Sequence, residues 1–204
     1  MDKREILNTI QRISEEIDRN REYLIELDRQ AGDGDLGISM SDGFHAVLNY
    51  LEKTNDVDMA KIWSQCGNVF NEAAPSSLGT IFTFIFKGMA VSMKGLKKFD
   101  MVQLSCALDM GIKKAMEKAG SSQGEKTIFD SLIPAVESML INEQKSVEML
   151  KEAAKAAAYG CEMTRNMQAV WGRAAYYGED SIGKLDGGAV VGMLIFKAMS
   201  EYSE

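Results

Sequence analysis

Hydrophobic positions along the chain recur at helical rather than alternating spacing. Ile6, Ile10, Ile13 and Ile17 follow one another at intervals of four, three and four, and Leu24 and Leu27 extend the stripe. Lys3 to Leu27 therefore reads as one amphipathic helix of about seven turns, roughly 35 Å at ~1.5 Å per residue. Met40, Phe44, Val47, Leu48 and Leu51 predict a second helix, and Met59, Ile62, Trp63, Cys66, Val69 and Phe70 a third. The stretch from Leu78 to Met93 is the most apolar and contains Ile81-Phe82-Thr83-Phe84-Ile85-Phe86. Periodicity alone also fits a buried strand there; the helical surroundings favour a central helix buried all round. It is too short to cross a bilayer and is interrupted by Lys87 and Gly88.

Further helices follow. Asp100 precedes Val102, Cys106, Met110, Ile112 and Met116, and Thr127 precedes Leu132, Ile133, Val136 and Leu140. Both are residue types that cap helix N-termini. Ser146 opens an alanine-rich helix with Glu148 and Glu152 in its first turns, where negative charge favours the helix dipole. Gly187-Gly188 precedes a last helix with Val191, Leu194, Ile195 and Met199. Eight helices with short connections imply mostly antiparallel neighbours, and residues 1–204 read as one all-α domain.

Composition supports this reading. The 204 residues include two prolines and fourteen methionines, and unbranched side chains lose little freedom in a helix. A net charge of −7 gives no electrostatic footprint for nucleic acid or an anionic membrane. The one basic run, Lys94-Gly-Leu-Lys97-Lys98, reads as a solvated loop. Cys66, Cys106 and Cys161 lie far apart, each on an apolar stripe, and are expected as buried free thiols. An odd cysteine count and a polar start without a leader point to a reducing, cytoplasmic setting.

Three glycine-rich polar breaks interrupt the helical pattern. The first, Asp28-Arg29-Gln30-Ala31-Gly32-Asp33-Gly34-Asp35-Leu36-Gly37, holds three carboxylates and three glycines in ten residues. Such carboxylates repel unless a cation sits among them, so the break reads either as a hard-cation site taking a Mg-nucleotide or as a solvated capping loop. It lacks the closing Glu of a calcium-binding loop. The second, Ala74-Pro75-Ser76-Ser77-Leu78-Gly79-Thr80, offers hydroxyls and N–H groups to a phosphate, or simply caps a helix. The third runs from Trp171-Gly172-Arg173 through Tyr176, Gly178 and Gly183 to Asp186-Gly187-Gly188; its arginine and aspartate suit nucleotide contacts or an ion pair. The single histidine, His45, sits on a helix beside Phe44 and is not expected to be catalytic.

Taken in order, Asp28-x4-Asp33-Gly-Asp35-x-Gly37-x2-Met40, Gly124-Glu125-Lys126-Thr127-x2-Asp130-x3-Pro134 and Gly172-Arg173-Ala174-x-Tyr176-x-Gly178-Glu179-x-Ser181-Ile182-Gly183-x2-Asp186-x-Gly188-Ala189 resemble the L-subunit (DAK2-type) family of dihydroxyacetone kinases. The resemblance spans nearly the whole chain. It implies a barrel of eight antiparallel helices with the nucleotide at one end. Asp28, Asp33 and Asp35 would hold Mg²⁺ against ADP or ATP, followed by the turn Leu36, Gly37, Ile38 and Ser39. The phosphate segment would fall on Ser76, Ser77 and Thr80, and the adenine side near Gly120 and Ile128, with Arg173, Asp186 and Gly187 completing the site.

In that family the L subunit carries the nucleotide while a K-type subunit holds the triose. In the phosphotransferase-system version, ADP stays bound and is rephosphorylated by a carrier, the M-type subunit. The chain departs from the pattern at Leu36 (usually His), at Ala73-Ala74-Pro75-Ser76-Ser77-Leu78 (usually Gly-Ala-Ser-Gly-Pro-Leu), at Trp171 (usually Lys) and at Gly187 (usually Pro). This fits a divergent paralogue. The resulting expectation is a phosphotransferase subunit acting on dihydroxyacetone or a related small ketose. The alternatives are an ADP-binding regulator of a transcription factor and a Mg²⁺-binding scaffold. A homodimer is left open.

Overall fold

Helix starts are written into the chain as side chains that accept from free backbone N–H groups. α1 (Lys3–Arg19) opens with a reciprocal box: Asp2 Oδ1 accepts from Arg4 N at 2.9 Å, while Asp2 N donates to Glu5 Oε2 at 2.7 Å. α2 (Arg21–Arg29) and α3 (Leu36–Lys53) follow. Asp58 caps α4 (Met59–Ala73) through Ala60 N at 2.9 Å, and Ser76 caps α5 (Ser77–Ser92) through Gly79 N at 3.1 Å. Asp100 and Gln103 form a second reciprocal box at α6 (Met101–Ala119). α7 (Phe129–Ile141), α8 (Ser146–Met163) and α9 (Gly187–Ser200) complete the set, with 3-10 turns at Thr164–Asn166 and Arg173–Ser181 between the last two. This computed structural model describes residues 1–141 and 146–201, and among them there are nine α-helices and no strand.

The expected helix over Lys3–Leu27 is therefore two. At Asn20 (φ −103°, ψ 8°) the side-chain Nδ2 donates to the Glu16 carbonyl at 2.8 Å, competing with the backbone ladder and breaking the run.

The chain divides into two compact units: Met1–Glu15 with Ser39–Ala119, and Glu16–Ile38 with Gly120–Glu204. In the first, Phe44, Phe70, Phe82 and Phe86 form a ring cluster with centroids 5.1–6.3 Å apart, and Trp63 stacks on Phe86. α5 packs on α4 and α6. It is not buried all round: Thr80 and Val91 are exposed, the latter by 61%.

The α5–α6 contact is close because Gly88 meets Gly111; a Cβ on Gly88 would stand 2.5 Å from the Gly111 Cα. α6 buries Ala107, Gly111 and Ala115, with Leu104 and Ile112 buried as well, and Val102, Cys106 and Met110 are exposed. Cys106 is thus exposed, against expectation; Cys66 and Cys161 are buried, and burial pushes the Cys161 thiol up to about 12.

In the second unit, α7 packs on α8, α9 lies against both, and α2 touches α9. The buried carboxylate of Glu16 is met by Lys197 at 2.6 Å, Arg19 at 2.9 Å and Asn20 Nδ2 at 3.1 Å. Burial acts to raise its pKa, and these partners outweigh it and hold it below the usual range. No described helix is long and apolar enough to cross a membrane.

Gly88→Val should force α5 and α6 apart and cost about 1–3 kcal/mol, as overpacking does. Val91→Ala, on the exposed stripe, should change stability by less than ~0.5 kcal/mol. Thermal or denaturant melts of both variants check this.

Candidate functional site

The acidic break lies within the second unit, where α2 ends and α3 begins. Asp28 sits in the last turn of α2. Its Oδ2 accepts from Gly34 N at 2.8 Å and Asp35 N at 3.1 Å, and its carbonyl accepts from Ala31 and Gly32. This folds the loop back over the helix end. Two glycines make the fold-back possible: Gly34 has φ +76°, and a Cβ on Gly32 would collide with the Asp28 carboxylate. Asp28, Asp33 and Asp35 each place one carboxylate oxygen within 4.8 Å of the others, the only such group among the described residues. Burial raises the Asp35 pKa, and the charges of Asp33 and Asp28 raise it further, while Arg173 opposes them. Arg173 Nη2 lies 2.7 Å from Asp33 Oδ2, with both side chains at least half exposed. An exposed pair of this kind is worth only about 0.2–1 kcal/mol.

A second layer fixes the loops that carry Arg173 and Asp186. Lys126 is buried with φ 60°, the one non-glycine residue of positive φ among those described. Its Nζ donates to three carbonyls: Thr164 at 2.7 Å, Met167 at 3.2 Å and Lys184 at 2.6 Å. Burial lowers its pKa, and Asp186 and Asp130 partly oppose the shift. The buried Asp130 accepts from Gly124 N at 2.5 Å and Thr127 N at 2.7 Å, holding the turn that presents Lys126. Thr164 Oγ1 accepts from Asp186 N at 3.1 Å, and Asp186 Oδ1 accepts from Ala189 N at 2.6 Å to cap α9. Burial pushes the Asp186 carboxyl up to about 7; the Asp130 charge adds to this and the Ala189 bond opposes it. Trp171, 44% exposed, is pinned through Nε1 to Glu125 Oε2 at 2.5 Å, and its Cη2 would lie 3.8 Å from a Cβ on Gly120.

Of the residues expected at the site, the second unit holds Asp28, Asp33, Asp35, Leu36, Gly37, Ile38, Gly120, Ile128, Arg173, Asp186 and Gly187. It brings together the three aspartates with Arg173, and Leu36 with Gly187. Gly37 lies where a Cβ would run into the Arg21 carbonyl, so α3 starts hard against α2. Ile128 is buried, with Gly188 next to it, while Gly120 (φ +69°) faces Trp171. Ser39, Ser76, Ser77 and Thr80 belong to the first unit. There the Ser76 hydroxyl is engaged as the α5 cap, Thr80 Oγ1 donates to the Ser76 carbonyl at 3.0 Å, and Ser77 is exposed. The sequence reading gave Lys126, Asp130, Thr164 and Glu125 no role of their own. The signal for Lys126 was its place after a glycine turn and directly before a helix-capping threonine.

Leu36 and Gly187, two departures from the family pattern, occupy one another's space: a Cβ at 187 would stand 2.6 Å from Leu36 Cδ2. Position 187 opens α9 directly after its cap, where proline is ordinarily favourable. Gly187→Pro should therefore destabilise the chain while Leu36 is present and be tolerated alongside Leu36→Ala. A double-mutant cycle on unfolding should give a favourable coupling of about 0.5–3 kcal/mol.

A DAK2 domain model matches residues 30–201. The ADP-binding subunit DhaL of the PEP-dependent dihydroxyacetone kinase of Escherichia coli is 28% identical over 203 residues, covering 98% of this chain and 97% of that protein. The corresponding subunit of the PTS-dependent kinase of Lactococcus lactis is 30% identical, covering 93% and 92%. Rat triokinase/FMN cyclase is 32% identical over 94% of this chain and 34% of its own length. The C. freundii dihydroxyacetone kinase, solved with AMP-PNP and Mg²⁺, superposes with a TM-score of 0.76 over 96% of this chain and 33% of that one, at 22% identity, which speaks for a shared fold. With the family model covering most of its length and these relatives matching it nearly end to end, the chain belongs to the DAK2 (DhaL-type) family.

Proposed function

We propose that this chain is the nucleotide-carrying subunit of a dihydroxyacetone-kinase-type phosphotransferase, acting with a K-type partner that holds the small ketose. The observation that carries the reading is the cluster of three carboxylate oxygens within 4.8 Å of one another, with the Arg173 guanidinium beside them. Hard divalent cations take carboxylate oxygens together with phosphate oxygens, so Asp28, Asp33 and Asp35 would hold Mg²⁺ against the nucleotide. When bound, the cation neutralises phosphate charge and leaves a γ-phosphoryl group open to attack. Asp28 is kept in orientation by the two N–H groups it accepts from. The Arg173–Asp33 bond is exposed, so Arg173 is available to exchange Asp33 for a phosphate oxygen. The Ser76 hydroxyl accepts from Gly79 N as the α5 cap and keeps its own O–H to donate, and Ser77 is exposed, so either serine is a candidate for a phosphate contact. The pinned Trp171 beside Gly120 offers an aromatic face on the side assigned to the base. The acceptor ketose lies on the partner, and rephosphorylation of the retained ADP by a phosphotransferase-system carrier agrees with the names of the bacterial relatives.

Gently purified protein, denatured in acid, should release about one ADP per chain, read by mass spectrometry. Asp33→Ala should release none. Ser77→Ala should weaken ADP binding about tenfold with little change in melting, whereas Ser76→Ala should cost about 1 kcal/mol of stability as a lost cap. Retention of nucleotide by Asp33→Ala would overturn the assignment. Retained ADP without phosphoryl transfer in the presence of a K-type partner would put the regulatory reading in its place.

A further inference from the structure

The two units differ in charge. The first carries 12 Lys and Arg against 11 Asp and Glu, whereas the second carries 11 against 19. The positive side chains of the first unit are gathered. Lys87, Ala90, Val91 and Lys94 follow one another at intervals of three, one and three, a single face on and just beyond α5. That face floors a groove of about 1080 Å³, with Lys61 and Ser64 of α4 and Lys114 of α6 also lining it.

The Gly88–Gly111 crossing explains why cations meet here. It brings the α5 and α6 backbones together one residue from Lys87 and one turn from Lys114. Like charges held this way repel, and each lysine ordinarily seeks a carboxylate or a carbonyl. The ammonium groups of Lys61, Lys87, Lys94 and Lys114 make no ion pair or hydrogen bond among the described residues, although Lys87 and Lys114 are partly buried. The neighbouring Lys113, by contrast, is paired with Asp109 at 2.7 Å. Two carboxylates border the groove. Asp58 is committed to the Ala60 and Lys61 N–H groups as a cap, and Asp56 is exposed. Tyr50 lines the same groove, with its hydroxyl buried near the Thr54 side chain.

From this arrangement we infer that the groove is a binding site for a compact soluble polyanion, a molecule with two or more phosphate groups. The four cations come from α4, from α5 and the turn after it, and from α6, and they outnumber the two carboxylates at the border. Charge spread over three elements suits a ligand with more than one phosphate group, and the Ala90–Val91 floor receives the carbon skeleton between the charged ends. The groove shares no residue with the acidic cluster, and along α5 Val91 is eleven residues, ~16 Å of helix, from Thr80. The inference does not depend on the function proposed above.

The test is calorimetric titration of the full chain with inorganic tripolyphosphate, in EDTA so that the acidic cluster has no cation through which to attract it. Wild type should bind, and more weakly as salt is raised. Asp33→Ala should bind equally well, while Lys87→Met/Lys114→Met should bind at least tenfold more weakly and melt no lower than wild type, since it loses two unpaired cations. Lys61→Met/Lys94→Met, altering only exposed side chains, should also weaken binding severalfold, so the outcome does not hang on one variant folding. Absence of binding by wild type at millimolar probe, or equal affinity in both lysine variants, would overturn the proposal. So would loss in Asp33→Ala alone. Sedimentation with anionic phospholipid vesicles without uptake of the soluble probe would equally overturn it, by assigning the groove to a membrane surface.

Discussion

Mutual repulsion of three aspartates is the constraint around which the second unit is arranged. Asp28, Asp33 and Asp35 are held within 4.8 Å of one another by a loop that folds back on the end of α2, and the loop closes only because Asp28 accepts from Gly34 and Asp35 while Gly32 leaves room for its carboxylate. The fold supplies one exposed guanidinium in compensation, worth little in water. Burial raises the Asp35 pKa first, and the charges of Asp33 and Asp28 add to it, so repulsion is part of that shift. In the function proposed above, a cation and a phosphate chain would relieve that repulsion, turning a structural cost into binding selectivity.

The loops that carry Arg173 and Asp186 are held by a different interaction. Lys126, buried and bonded to three carbonyls, ties the turn before α7 to the segments around Thr164, Met167 and Lys184. A buried ammonium with all its donors satisfied by carbonyls is strongly directional, and losing it would take a donor from three carbonyls, of which only that of Thr164 has a second partner among the described residues, Met167 N. Asp130 and Thr164 complete the arrangement by fixing the turn and the α9 cap. The same region accommodates the departures from the family pattern: Leu36 fills the space that a side chain at 187 would need.

Much of this was legible in the sequence, and the limits were physical. The all-helical class, the aspartate cluster and the Asp100 cap followed from spacing and residue type, because periodicity and capping are local. The break at Asn20 was not, since the isoleucine stripe runs through it and one side-chain bond to Glu16 decides the matter. The outward turn of Cys106, Val102 and Met110 could not be read from hydrophobicity either. It depends on which face of α6 the Gly88–Gly111 contact turns toward α5, a non-local constraint that hydrophobicity does not encode. Lys126 stood in a quoted motif, but its role depends on three carbonyls 38 to 58 residues away.

The most direct measurement is calorimetric titration of nucleotide-free chain with ADP, once in Mg²⁺ and once in EDTA. If the carboxylate cluster acts by sharing a cation with phosphate, affinity in Mg²⁺ should exceed that in EDTA by at least a hundredfold, about 2.7 kcal/mol. Equal affinity in the two conditions would mean that the nucleotide does not meet these aspartates, and would contradict the account.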